Sequence, residues 1–199
     1  MNYKDIYEKV RAKFLYYGIK GEERFIHSLG VSEVCGKLAS IYKPNDIEFF
    51  EKAKNAGLIH DYAKFLNLEE FKELLNKHNI DLELHNEYFP IYHGYVGYLL
   101  IEDELDVHDK EILNAIIYHS TGKSDMTLLE KILFVGDFIE PNRQGDFFDR
   151  IREFAYDDLD KAVYLEAKET YDYLKSKNRP IFFETINCYN YYKNIIENR

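Results

Sequence analysis

The sequence predicts an all-α protein, and three observations carry that prediction. Apolar residues recur at helical spacing, as in Ile26, Leu29, Val34, Leu38 and Ile41. The prolines, Pro44, Pro90, Pro141 and Pro180, all fall at breaks between such stretches. No stretch alternates apolar and polar residues as a half-buried strand would. One domain over residues 1–199 is expected, a length that suffices to bury a core.

The elements follow in order. A first helix covers Tyr3 to Leu15, and Gly18 and Gly21 bracket a turn. Glu22 to Ile41 is the next helix. Pro44 and Asn45 then open a helix from about Asp46 to Phe65. Asn67, with Glu70 three residues on, reads as a capping box and starts a short helix that ends near His78. Asn79 to Pro90 is irregular. A helix runs from near Ile91 to about Glu104, and another from Asp109 to His119. Thr121 to Ser124 is a loop. Thr127 and Glu130 form a second capping box, opening a helix whose apolar face carries Leu128, Ile132, Val135 and Ile139 until Pro141 stops it. The last helices span Phe147–Ala155, Leu159–Lys177 and Glu184–Glu197, with the loop from Asn178 to Phe183 joining the final two.

Charge and composition exclude several classes. The net charge is −10, which repels a nucleic-acid backbone, and no Lys/Arg stripe offsets it. A small anionic ligand would need a metal and a few basic side chains. No run approaches the roughly 18 apolar residues of a membrane span. The N-terminus is charged throughout, without a signal-peptide core, so the cytoplasm is the expected compartment. The two cysteines, Cys35 and Cys188, lie in apolar segments and read as buried thiols.

Histidines make the sequence specific. Of the seven, His78, His85 and His108 lie in polar surroundings and read as surface residues. His27, His60, His93 and His119 each sit in apolar sequence. Four buried rings would all need polar partners, and convergence on one site supplies them. His60 and Asp61 are adjacent. Inside a helix they point about 100° apart, so one ion reaches both only at the helix surface, between helices that bring further ligands. His27 and Asp137 suit that role. Asp137 lies in the apolar run Ile132–Ile139, where a carboxylate needs a strong partner. Two imidazoles and two carboxylates suit Fe, Mn, Co, Ni or Zn. Coordination without thiolates favours a catalytic over a structural site. Arg24 is one turn before His27 and Lys64 one turn beyond His60, so both face the same site, and Arg143 follows the Pro141 break.

These residues follow the H…HD…D order of the HD-domain metal-dependent phosphohydrolases. More narrowly, the chain resembles the bacterial YqeK family of symmetrical bis(5'-nucleosyl)-tetraphosphatases. The stretches that carry the resemblance are Arg24–Ser28, His60–Lys64, His93–Gly97, Tyr118–Gly122, Met126–Ile132 and Asp137–Arg143, and they extend from about residue 20 to 190. The first order is specific to the superfamily, and the His60–Lys64 and Asp137–Arg143 strings to the narrower family.

The resemblance implies an HD-type helical bundle, with core motifs at about 20–145 and helices 146–199 completing a nucleotide site. It implies symmetrical hydrolysis of diadenosine tetraphosphate to two ADP, with iron or a similar metal on His27, His60, Asp61 and Asp137. It places nucleotide contacts on Arg24, Lys64, His93, His119, Ser120 and Arg143, and more weakly on the loop from Arg179 to Thr185. Asp61, Tyr62, Ala63 and Asp137 join the expected substrate site, with Tyr62, Phe182 and Phe183 as candidates to stack on a base. Asp61, Lys64, His93 and His119 are the expected catalytic residues. His93 and His119 have two readings, a second metal site or phosphate contact with proton donation. ADP or GDP could also be bound, and a homodimer is allowed. Rival readings are another nucleotide phosphohydrolase, or a metal-containing nucleotide sensor that acts through a protein partner.

Overall fold

The structure, a computed structural model, describes residues 3–199. Among these the regular elements are all helical: α1 (Tyr3–Leu15), α2 (Gly18–Tyr42), α3 (Ile47–Ile59), α4 (Leu68–Lys77), a 3-10 turn at Asn86–Ile91, α5 (Tyr92–Tyr95), α6 (Tyr98–Leu105), α7 (Lys110–Tyr118), α8 (Leu128–Ile139), α9 (Asp146–Ala155), α10 (Leu159–Ser176) and α11 (Phe183–Glu197). Among the described residues no helix is long and apolar enough to cross a membrane.

Helix α2 is the spine. It packs on α1, α3 and α8, while α8 also touches α7, α9 and α10, and α11 lies on α10. The expected capping boxes are present. The Asn67 side chain accepts from the Glu69 and Glu70 amides and Thr127 Oγ1 from the Glu130 amide, while each Glu returns a bond to the cap amide. Each such cap stabilises its helix by about 1 kcal/mol. Asp109 caps α7 through its own side chain alone, which accepts from the Glu111 and Ile112 amides.

Three expected boundaries are corrected. The turn before α2 is tighter than expected, with Gly18 at φ +63° and Gly21 already inside the helix. A Cβ at Gly21 would fall 1.8 Å from the Phe14 carbonyl oxygen, so its absence lets α2 cross the end of α1. The helix expected over Ile91–Glu104 breaks at Val96–Gly97, where both amides bond the Tyr92 carbonyl. The helix expected to reach Phe65 ends at Ile59, so His60 and Asp61 lie in the turns that follow it.

That last ending has a local cause. His60 Nδ1 donates to the Gly57 carbonyl at 2.7 Å, the acceptor that the Asp61 amide would use in a continuing α-helix. Bonds from Tyr62 to Ile59 and from Lys64 to Asp61 then tighten the chain into i→i+3 turns. The same device ends α7, where His119 Nδ1 donates to the Ile116 carbonyl at 2.6 Å. Both histidines thus stop a helix and turn their Nε2 atoms to one place between α2, α3, α5, α7 and α8.

Candidate metal centre

Of the four residues expected to bind metal, His27, His60 and Asp137 form one set with metal-ligand spacing, and Asp61 adjoins it. His27 Nε2 lies 3.3 Å from His60 Nε2 and 3.0 Å from Asp137 Oδ1. Asp61 Oδ2 is 3.3 Å from His60 Nε2 and 3.8 Å from His27 Nε2. His60 Nε2 and Asp137 Oδ1 are 3.8 Å apart. Atoms bonded to one ion at about 2.0–2.2 Å sit at such separations from one another.

The donor set fits a cation on chemical grounds. His60 Nδ1 is committed to the Gly57 carbonyl, and His27 Nδ1 faces Glu140 Oε1 at 3.3 Å. These partners can hold the ring protons on Nδ1, which would free both Nε2 atoms to ligate a cation. Two lone pairs and two carboxylates then face one another, and a cation at their centre relieves the repulsion. His60 and Asp61 are nine-tenths or more buried, so water does not do so. Helix α3 can approach α2 this closely because residue 57 is glycine: a Cβ there would meet the Ser32 backbone at 2.8 Å.

A second layer surrounds Asp61 Oδ1, which has no well-aligned hydrogen bond although it is buried. His93 Nε2 lies 3.0 Å from it, Lys64 Nζ 3.4 Å and His119 Nε2 3.8 Å. His93 Nε2 is also 3.0 Å from Lys64 Nζ, 3.0 Å from His119 Nε2 and 3.2 Å from Ser120 Oγ. Two cations flank the carboxylates: Arg24 Nη1 donates to Asp61 Oδ2 at 2.7 Å and Arg143 Nη2 to Asp137 Oδ1 at 2.8 Å. The overlapping set His60, Asp61 and His119 also has metal-ligand spacing.

Burial and neighbours set the charge states. Burial lowers the His60 pKa and, with Lys64 beside it, lowers that of His93 to about 4, so both rings are neutral at pH 7. Burial would raise the Asp61 carboxyl, but His60, Lys64 and His93 around it hold it well below the usual range. For Asp137 the opposition to burial comes from His27, His60 and Arg143, and its pKa too is lowered.

The site opens on a cavity of about 880 Å³ whose lining includes Lys64, His93, Ser120, Arg179, Phe182 and Thr185. It therefore gathers Arg24, Lys64, His93, His119, Ser120 and Arg143 around the four ligand positions and places Arg179 and Thr185 farther along the cavity wall. The side chains of Tyr62 and Ala63, between Asp61 and Lys64, turn away from the cavity. The Tyr62 ring points into the core behind Asp61, and its hydroxyl donates to Glu104 Oε2 at 2.7 Å. Ala63 is buried against Gly97. Of the aromatic candidates, Phe182 lines the cavity, while Phe183 packs behind it and is half exposed.

Sequence reading missed two supporting residues. Glu140, buried at the end of α8, orients His27 while its Oε2 accepts from the Asn142 amide and side chain. An acid ending an apolar helix three residues after Asp137 was the available signal. Arg152 on α9 donates to the carbonyls of Ile139 at 2.8 Å and Glu140 at 2.9 Å, and also to that of Arg143. Nothing local distinguishes it from an ordinary helix-surface arginine.

Comparison with known proteins agrees with this geometry. The HD domain model matches residues 24–142. The symmetrical bis(5'-nucleosyl)-tetraphosphatase of Bacillus subtilis (strain 168) is 38% identical over 170 residues, 85% of this chain and 89% of that protein. The protein of the same name from Staphylococcus aureus (strain NCTC 8325 / PS 47) is 37% identical, covering 86% and 87%. The crystal structure of a predicted HD superfamily hydrolase involved in NAD metabolism, from Clostridium acetobutylicum, superposes with a TM-score of 0.83 at 34% identity, covering 100% of this chain and 99% of that one. At that identity and coverage, and with the H…HD…D residues gathered at one point, the chain belongs to the HD-domain family, in the branch that holds these two tetraphosphatases.

Proposed function

We propose that this chain hydrolyses diadenosine tetraphosphate symmetrically to two ADP, with a transition metal on His27, His60, Asp61 and Asp137. The observation that carries the reading is the meeting of ligand atoms from His27, His60, Asp61 and Asp137 at the edge of a cavity that Lys64, His93 and Ser120 help to line. The two tetraphosphatase relatives support the choice of substrate. Iron is the metal we favour, and the same set suits Mn, Co, Ni or Zn. The reading treats residues 1–199 as one domain, with motifs at about 20–145. Phe147, Tyr173, Arg179, Phe182 and Thr185 on the cavity wall support a role for helices 146–199 in the nucleotide site. It also makes the chain a cytoplasmic enzyme that acts on a free nucleotide.

His27, His60, Asp61 and Asp137 would hold the metal, which would supply Lewis acidity and lower the pKa of the attacking water. The protein's own groups do the rest. Arg24, Lys64 and Arg143 bind phosphate oxygens and balance charge as it moves to the leaving group. Asp61 has one oxygen toward the metal position and the other toward His93, so it can align the attacking water. Because the His93 ring is neutral at pH 7, it would act as a relay, passing to the leaving ADP oxygen a proton from Lys64 Nζ, 3.0 Å from His93 Nε2, with His119 as the second candidate donor. Ser120 Oγ, 3.0 Å from His119 Nε2, steadies both rings.

The test is metal analysis of freshly purified protein beside a product assay on diadenosine tetraphosphate. About one or two equivalents of transition metal with ADP as sole product is the expected result. Metal without turnover moves the function to another nucleotide or to sensing. No metal and no activity after adding back iron, manganese or cobalt overturns the proposal.

A further inference from the structure

We propose that the cavity contains two separate purine-stacking clusters, one on each side of the metal centre, so that both arms of a dinucleotide are held at once. The inference rests on the tetraphosphatase reading and extends it to how the substrate's ends are recognised.

The first cluster is built from Tyr88 and Phe182, whose ring centroids are 5.3 Å apart. Tyr95 packs on Phe182 at 5.1 Å and lies two residues after His93, which ties this cluster to the His93, Lys64 and Ser120 end of the polar array. The second cluster is Phe138, Phe147 and Phe148, with centroid separations of 5.0–5.7 Å. Phe138 directly follows Asp137, and the Arg143 guanidinium lies 5.7 Å from its ring. This cluster therefore belongs to the opposite end of the array.

All five rings line the same cavity, yet among the described residues no ring pair joins the two clusters. A chain of contacts Lys64–His93–Asp61–His60–Asp137–Arg143 has a cation at each end, Lys64 on the cavity wall with the first cluster and Arg143 near the Phe138 ring of the second. Metal-ligating, cationic and aromatic groups thus succeed one another in mirrored order from the centre outwards. A tetraphosphate bearing a purine at each end has the same order: charge in the middle, a flat apolar ring at either extreme. The cavity's 880 Å³ is near the top of the range of about 300–1,000 Å³ for small-molecule sites.

The arrangement accounts for a central cut. With each base anchored, the middle of the phosphate chain is brought to the metal position. Water adds to a central phosphorus, the P–O bond to the bridging oxygen breaks, and each half leaves as a nucleoside diphosphate. Stacking accepts any base face, so the clusters set the substrate's length and symmetry rather than the identity of its purine.

The experiment uses metal-loaded protein and two probes, diadenosine tetraphosphate and the one-armed adenosine 5'-tetraphosphate, whose central cleavage gives ADP and pyrophosphate. The variants are Phe182→Leu and the double variant Phe147→Leu/Phe148→Leu, which keep apolar volume and remove the aromatic face. On the two-armed probe each lowers kcat/KM by about tenfold. On the one-armed probe only one of them does, because a single base needs a single cluster. Equilibrium dialysis of ADP gives two equivalents per chain. One equivalent of ADP, or equal effects of both variants on both probes, overturns the inference. Two equivalents of ADP with no turnover of the two-armed probe would instead remove the functional reading and leave the two clusters standing. Turnover of that probe with one ADP bound would do the reverse.

Discussion

Glu140 Oε1 lies 3.3 Å from His27 Nδ1, so a buried carboxylate orients a ring whose other nitrogen faces the metal position. Its second oxygen is held by the Asn142 amide and side chain, which leaves the first aimed at the imidazole. Such a partner sets the tautomer and raises the basicity of the ligating nitrogen.

Replacing Glu140 by Gln tests this role. The amide oxygen can keep the Asn142 contacts, but its NH₂ group then faces His27 and favours the wrong tautomer. Metal affinity should fall by about 10–100-fold, with turnover recovering at saturating metal. Metal titration followed by activity at each point checks it, and unchanged affinity would remove Glu140 from the site.

Asp61 is the junction between the ligand set and the His93, Lys64 and Ser120 group. Asp61→Ala should leave less than about 0.1 equivalent of metal and no measurable turnover. A fully active Asp61→Ala protein would end the account given above. Chelation of the wild type should also lower its melting temperature, because metal binds only the folded state and contributes about 2.7 kcal/mol at a hundred times its dissociation constant.

Tyr62 supports the His60–Asp61 turn from behind. Its hydroxyl donates to Glu104, which is also paired with Lys13 on α1. Tyr62→Phe should cost about 1 kcal/mol, a modest value because Glu104 is half exposed. KM for the dinucleotide should not change. Urea denaturation beside steady-state kinetics separates this from a stacking role, which would raise KM and leave stability alone.

Arg152 holds the end of α8 and the turn that carries Arg143 through three carbonyl contacts. Arg152→Gln should lower stability by about 1–2 kcal/mol and raise KM several-fold. Because the KM effect passes through Arg143, it should vanish in an Arg143→Gln background. Additive effects in that double-mutant cycle would reduce Arg152 to a helix brace.

Helices whose ends are local events are legible from the amino-acid order alone. Asn67 with Glu70, Thr127 with Glu130, and Pro141 act on neighbours within one turn, so their boundaries were legible. The ligand set was legible for a related reason: a His or Asp inside an apolar stretch is costly unless it has a partner, and that cost is visible without coordinates. What the sequence misplaced was governed by contacts from afar. The helix expected to run to Phe65 stopped at Ile59, because the His60 ring takes the carbonyl that would have continued it and is held there by α2 and α8. Its place beside Asp61 makes Tyr62 one of three candidate base-stacking residues, with Phe182 and Phe183. Only the packing of α1 and α6 turned its hydroxyl to Glu104, 42 positions later. Arg152 and the ring cluster of Phe138, Phe147 and Phe148 show no sequence periodicity that marks a site. Their positions follow from α9 lying against α8, and side chains brought together by helix packing have no local signature.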